Sequence, residues 1–234
     1  MGLVEIFADE TYPDTTRGTL LRVATIAVFK THLRKATEQL RQIRGLTAKR
    51  RLPALLEYLA SAPMLGVIGE TDMSLADNGL DGRDLYEDVG TIARRDNFWS
   101  QSIAYCVAFN LRFAIEEGWH INQVRVYYDP KDLKTAHRAN FHTSLQTTLS
   151  RLSARLSRQL DMPKCQVDVS RVREIQKNDA NESLRLGVWC AHSVLRMPDS
   201  LGPEDLPANF RMLDFSDWIA GLLRKKPTPF IRKR

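Results

Sequence analysis

The sequence predicts an α/β domain built on a mixed sheet of about five strands, with helices on both faces. Two observations support this fold class. Near the start of the chain, two apolar segments flank a short turn-forming stretch, which favours an antiparallel hairpin. Three later apolar segments are separated by helical patterns, which predicts parallel strands joined by right-handed crossovers.

The first third of the chain supplies the hairpin and a third strand. Residues 4–8 alternate and stop at two acids and a Thr-Tyr-Pro-Asp turn, whereas residues 20–29 are β-branched and apolar. Leu33, Leu40 and Ile43 mark an amphipathic helix that ends near Gly45. A second helix over 53–60 and a strand over 64–68 complete this part.

The remaining elements follow a long loop, 69–90, that is rich in Gly, Asp and Asn. Helical spacing then predicts a core helix that ends before Gly118. In order, the predicted elements are a helix at 98–117, a strand at 124–128, a helix at 133–160, a strand at 167–169, a helix at 182–195, a loop at 198–207 and a helix at 215–223. We therefore expect one domain over residues 1–197 and a C-terminal extension over 198–234.

Composition restricts the class of protein. No run of 18 to 20 apolar residues is present, and the first ten residues lack the features of a signal peptide. We therefore expect a cytoplasmic protein without a membrane partner. Cys106, Cys165 and Cys190 are widely spaced and odd in number, so buried free thiols are expected rather than disulfides or a metal clamp.

Positive charge is unevenly distributed along this basic chain, whose formal charge is +6. Residues 133–160 contain no acid, so their helix is expected to present a basic face to nucleic acid. The residues predicted to bind phosphates are Lys134, Arg138, Arg151, Arg155 and Arg158. Further basic clusters occupy 30–51 and 224–234. Each cluster also fits a simple solvated surface.

Acidic residues follow three predicted strands. Asp9 with Glu10, Asp72 and Asp129 lie just beyond strand ends, where sites form in open α/β sheets, and Asp179 opens the last long helix. Clustered carboxylates repel one another unless a divalent cation neutralises them. The sequence therefore predicts Mg²⁺ or Mn²⁺ held by Asp9, Asp129 and Asp179, with Glu10 assisting catalysis. Helix capping, turns and pairing with arginines are the alternative roles for these acids.

A resemblance to a known family involves the same residues. The run from Ile6 to Thr11 is similar to the Tyr-Ile-Asp-Glu-Ser-Gly opening of the bacterial and phage family called domain of unknown function thirty-eight hundred. Residues 124–129 resemble its central strand, and 178–191 resemble its closing segment, so the likeness covers most of the chain in loose register. The resemblance implies a ribonuclease H-like fold with a carboxylate site.

The sequence departs from that family at two places. Thr11-Tyr12 replaces the usual Ser-Gly, and Val188 stands where the closing Gln-Leu-Ala-Asp motif has its aspartate. Loss of a ligand weakens a metal site, so the resemblance also allows a non-catalytic descendant of the fold. Phosphate-loop, dinucleotide-binding, nucleophile-elbow and zinc-protease motifs are absent from the sequence.

Three functions are therefore predicted as alternatives. The first is a metal-dependent nuclease or related phosphoryl-transfer enzyme acting on nucleic acid. The second is an inactive nucleic-acid-binding or assembly subunit of a mobile-element or phage-defence system. The third is a protein-interaction module that binds a protein partner or a second copy of the chain. The four tryptophans, Trp99, Trp119, Trp189 and Trp218, have the chemistry to stack on bases but are expected to pack in the core.

Overall fold

The computed structural model describes residues 2–11, 20–72, 91–129, 139, 141–143, 145–150, 166–196 and 206–214. The strands are β1 (Gly2–Thr11), β2 (Leu20–Phe29), β3 (Met64–Asp72), β4 (Ile121–Tyr128), β5 (Gln166–Glu174) and β6 (Phe210–Asp214). The helices are α1 (Lys30–Arg44), α2 (Ala48–Ser61), α3 (Thr91–Glu116), α4 (helical residues 141–143 and 145–150) and α5 (Glu182–Leu195).

All six described strands form one mixed sheet in the order β5-β4-β1-β2-β3-β6. β2 pairs antiparallel with both β1 and β3, whereas β1–β4, β4–β5 and β3–β6 are parallel pairs. This arrangement confirms the predicted α/β class and the ribonuclease H-like mixed sheet. The number of strands is six rather than about five.

The pairing of β3 corrects one prediction. The prediction that strands separated by helices are parallel holds for β3, β4 and β5, which all run in the direction of β1. It fails for β2 and β3, which are antiparallel along the whole length of β3. Two helices, α1 and α2, separate these strands and contact one another. A single helix returns the chain to the starting end of the sheet, whereas a helical pair brings it back to the end that it left. The crossover rule for one helix therefore does not apply here.

Two layers of helices cover the sheet, which confirms the prediction of helices on both faces. α3 and α4 pack on one face against alternate residues of β1, including Ile6 and Ala8. α1, α2 and α5 pack on the other face, where Phe7 is buried. Because β1 and β2 are covered on both faces, most of their side chains are apolar.

Buried polar side chains join α3 to the sheet. The side-chain amide of Asn110 donates hydrogen bonds to the backbone oxygen of Thr25 at 3.0 Å and to that of Leu65 at 3.2 Å. Cys106 is also buried beside Thr25, and burial raises the pKa of its thiol to about 12. Cys106 and Cys190 are both free and buried, as predicted, while Cys165 lies outside the described residues.

β6 is an element that the sequence patterns do not predict. It pairs with β3 and forms one edge of the sheet, and its first residue, Phe210, packs on Gly66. The side-chain amide of Asn209 donates hydrogen bonds to the carbonyl oxygens of Leu59 and Met64 at 2.7 and 2.8 Å. Residues 206–214 of the predicted extension are thus tied to the sheet. The helix predicted at 215–223 lies outside the described residues, as do residues 73–90 of the long loop.

In the described ranges, no helix has both the length and the apolar character required to cross a bilayer.

The contact between α5 and β1 depends on a missing side chain. Gly187 lies so near the ring of Phe7 that a Cβ atom at this position would be 2.5 Å from it. Phe7 is 1% exposed and stacks on Tyr127, so the ring has little freedom to move away.

We predict that Gly187→Ala lowers the free energy of unfolding by about 1–3 kcal/mol, the usual cost of overpacking a core. Chemical denaturation measures the change. Gly45→Ala is the matched control, because Gly45 is exposed with φ −71° and the nearest atom to a new Cβ is at 3.4 Å. Equal stability of the two variants would contradict the close packing of α5 on β1.

Candidate functional site

Asp9 and Asp129 lie side by side where β1 and β4 run parallel. Ala8 of β1 pairs with Tyr128 of β4, and Asp9 and Asp129 are the next residues along the two strands. Side chains alternate along a strand, and the rings of Phe7 and Tyr127, two residues earlier, stack at 5.5 Å on the α5 face. Both carboxylates therefore point to the α5 side of the sheet.

Asp9 is held on both of its oxygens. Its Oδ1 accepts a hydrogen bond of 2.8 Å from the backbone N–H of Glu10, and its Oδ2 lies 2.7 Å from Nδ1 of His192. The Asp9 side chain is 3% exposed, whereas that of His192, in the last turn of α5, is 47% exposed. These contacts orient the carboxylate, and a carboxylate with two such partners retains lone pairs for a further ligand.

The carboxyl group of Asp129 is destabilised in its charged form. Burial, followed by the negative charge of Asp9, raises the pKa of Asp129 to about 6 from an ordinary value of 3.8. His192 and Lys177 oppose this increase through their charge interactions with Asp129. An energetic cost of this kind is relieved when a cation binds between the carboxylates.

The two acids line a cavity of about 360 Å³ between α5 and the segment that follows β5. Three basic side chains, Arg44, Lys177 and Arg185, also line it, and we call them the basic rim. Its apolar lining comes from Ile175, Val188 and Trp189. An anionic group that entered this cavity would meet three cationic side chains beside the carboxylate pair.

The described side chains include only part of the residues predicted for the site. Glu10 is buried, but alternation along β1 places it on the α3 face, away from the cavity lining. The side chain of Asp72 lies outside the described residues. The predicted nucleic-acid-binding residues lie outside them too, namely Lys134, Arg138, Arg151, Arg155 and Arg158.

Asp179 has the contacts of a turn residue paired with an arginine, which is the alternative role that the sequence analysis gives for these acids. One of its oxygens accepts a hydrogen bond from the Arg173 guanidinium, and the other accepts one of 2.9 Å from the backbone N–H of Asn181. Asn181 in turn caps α5 by accepting a hydrogen bond from the N–H of Leu184. Asp179 organises this turn and is not part of the cavity lining.

The sequence analysis did not predict four candidate site residues at this cavity, namely His192 and the three residues of the basic rim, although Arg44 lies in the basic cluster at 30–51. His192 lies four residues after Val188, so the two occupy the same face of α5, and both line the cavity. The spacing of four residues from position 188, where the family resemblance expects an aspartate, could therefore have identified His192 as a site residue. No comparable signal existed for Arg44 and Lys177, because only the tertiary fold brings α1 and the segment after β5 together.

The fit to a divalent cation rests on Asp9 and Asp129. In the part of the chain that the structure describes, no three His, Cys, Asp or Glu side chains are close enough together to form a metal site. Mg²⁺, however, is commonly held by one or two carboxylates together with waters and substrate phosphates. The carboxylate pair of Asp9 and Asp129 fits a site of this type.

We predict that Asp129→Asn stabilises the protein at pH 7.5. The pKa of Asp129 is higher in the folded state, so the stability of the wild type falls as the pH rises from about 4 to about 6. The asparagine variant escapes this loss. After allowance for solvent screening at this half-buried group, we expect a gain of about 1 kcal/mol in the free energy of unfolding.

Chemical denaturation at pH 4.0 and pH 7.5 checks this prediction, because the gain should disappear at the lower pH. Glu57→Gln on the exposed side of α2 is the control, and its stability should stay within about 0.5 kcal/mol of the wild type. A variant at Asp129 that is less stable at pH 7.5 would contradict the electrostatic assignment.

No protein-family model matches the chain, and no curated protein matches it. The resemblance to the family called domain of unknown function thirty-eight hundred therefore stays a prediction.

Proposed function

We propose that the protein is a metal-dependent nuclease or related phosphoryl-transfer enzyme that acts on nucleic acid. One observation carries this proposal: Asp9 and Asp129 meet at the ends of adjacent parallel strands, in a cavity that three cationic side chains also line. Carboxylates suit a divalent cation, and the cations suit phosphate. Binding of both partners in one cavity is the requirement of phosphoryl transfer.

Each side chain has a defined task in this proposal. When bound, Mg²⁺ or Mn²⁺ neutralises charge on the phosphoryl oxygens and lowers the pKa of a coordinated water. Asp9 and Asp129 are the residues that hold the cation, and His192 keeps the Asp9 carboxylate in a fixed orientation at 2.7 Å. The basic rim neutralises the phosphate charge and positions the reacting group.

A second candidate function has its own supporting observation. Val188 is 6% exposed and lines the cavity at the position where the family resemblance expects an aspartate. An apolar side chain there supplies no ligand. The observation favours an inactive subunit that binds nucleic acid and keeps the fold.

Cleavage assays test the first function directly. Labelled single- and double-stranded DNA and RNA are incubated with Mg²⁺ or Mn²⁺. We expect metal-dependent cleavage that falls at least about 100-fold in the Asp9→Asn, Asp129→Asn double variant, since outer partners of a metal site alone contribute 10- to 100-fold.

Glu182→Gln is the control for loss of a carboxylate. Glu182 pairs with Arg41 on the exposed side of α5 and does not line the cavity, so cleavage should be unchanged. Absence of cleavage in the wild type, with every substrate and either metal, would contradict the enzymatic proposal.

A gain of metal binding tests whether residue 188 faces the proposed metal site. We predict that Val188→Asp binds Mn²⁺ roughly tenfold more tightly than Val188→Asn, because only the aspartate adds a charged ligand beside Asp9 and Asp129. The Mn²⁺-dependent increase in melting temperature measures this difference. The asparagine variant has the same size and controls for the disturbance of packing. Equal shifts in both variants would show that residue 188 does not face a metal site.

A further inference from the structure

Trp189 occupies an unusual position on α5. The helix buries most of its neighbours, including Val188 and Cys190, but Trp189 is only partly buried and lines the cavity. The guanidinium carbon of Arg44 lies 5.9 Å from the centroid of its ring. A partly exposed indole beside an arginine is the combination on which nucleic-acid bases stack.

The basic rim supplies the complementary contact for a phosphate. Arg185 lines the cavity, and its buried Nε has no hydrogen-bond partner among the described residues, so no protein contact competes with an anion for this donor. Arg44 and Lys177 are exposed and add positive charge. Arginine donors match phosphate oxygens in a fixed fork, which makes these contacts directional as well as electrostatic.

The geometry of the cavity limits which nucleic acid can use both contacts. Its volume of about 360 Å³ is that of a small-molecule site, which suits one nucleotide. In a duplex, both faces of each base are covered by neighbouring pairs, and unstacking a base costs free energy. Only an unpaired nucleotide presents a base face to Trp189 without that cost.

We infer that the cavity binds an unpaired nucleotide of single-stranded nucleic acid, with its base on Trp189 and its phosphate among Arg44, Lys177 and Arg185. This inference rests on the proposed function and names its substrate class. The nucleotide's phosphate then lies beside Asp9 and Asp129, where the proposed reaction takes place.

Binding without cleavage tests the inference. Fluorescein-labelled dT12 and U12 are titrated with the full chain in EDTA. A labelled blunt DNA duplex of 12 base pairs is titrated in the same way for comparison. Fluorescence anisotropy should show single strands binding at least tenfold more tightly than the duplex. Trp189→Ala should weaken single-strand binding about tenfold, within the range measured for loss of base stacking, whereas Trp189→Phe should retain most of it.

The cationic contacts have their own readout. Arg44→Gln and Arg185→Gln should each reduce the slope of log affinity against log salt concentration by about 0.7, the value for one lost phosphate contact with a single strand. Arg34→Gln is the matched control, because Arg34 is 94% exposed and lies about 15 Å along α1 from Arg44. Its slope should equal that of the wild type.

The outcomes separate this inference from the proposed function. Tighter duplex binding, or unchanged affinity in both Trp189 variants, would overturn the inference even if the enzyme cuts nucleic acid. Selective single-strand binding that depends on Trp189, without cleavage in Mg²⁺ or Mn²⁺, would support the inference and overturn the enzymatic proposal.

Discussion

The register between β1 and β4 is the constraint on which the site depends. Ala8 opposite Tyr128 brings the next residues of both strands, Asp9 and Asp129, to the same face of the sheet. A slip of one residue would move one carboxylate to the opposite face. Stacking of Phe7 on Tyr127 opposes such a slip, because the slip would move one of the two rings to the opposite face of the sheet. Core packing thus imposes the approach of two like charges.

The chain tolerates this approach because other elements bring compensating groups. α5 places His192 against Asp9, and the segment after β5 places Lys177 near Asp129. The compensation is incomplete, since the pKa of Asp129 stays raised at about 6. The remaining repulsion between the two carboxylates would be relieved by a bound cation, which would then stabilise the folded state. Such strain is common where a site is selected for binding rather than for stability.

Local patterns predicted the parts of the fold that local chemistry determines. Asp9 and Asp129 were found because strands commonly end on polar residues, although β1 continues past Asp9 to Thr11 and only Asp129 lies beyond its strand. α5 has the predicted bounds because Asn181 caps its start. The antiparallel β3, the edge strand β6 and the basic rim depend on which elements meet in space. Arg44 is distant in sequence from Asp9, and no periodicity in α1 relates the two. The local sequence around Asp179 fitted either a turn or a site, and its contacts with Arg173 and Asn181 are those of a turn.

One face of α5 decides which chemistry the cavity supports. Gly187 lets the helix approach Phe7, and this approach brings Val188, Trp189 and His192 towards the carboxylates. Residue 188 is a valine and adds no third carboxylate, while His192, one turn later, contacts Asp9 directly. The cavity therefore holds fewer negative charges than a site with three acids would have, and with the basic rim it is better suited to retain an anion. Under the proposed function, the substrate's own phosphate would complete the coordination of the cation, and metal and nucleic acid would then bind cooperatively.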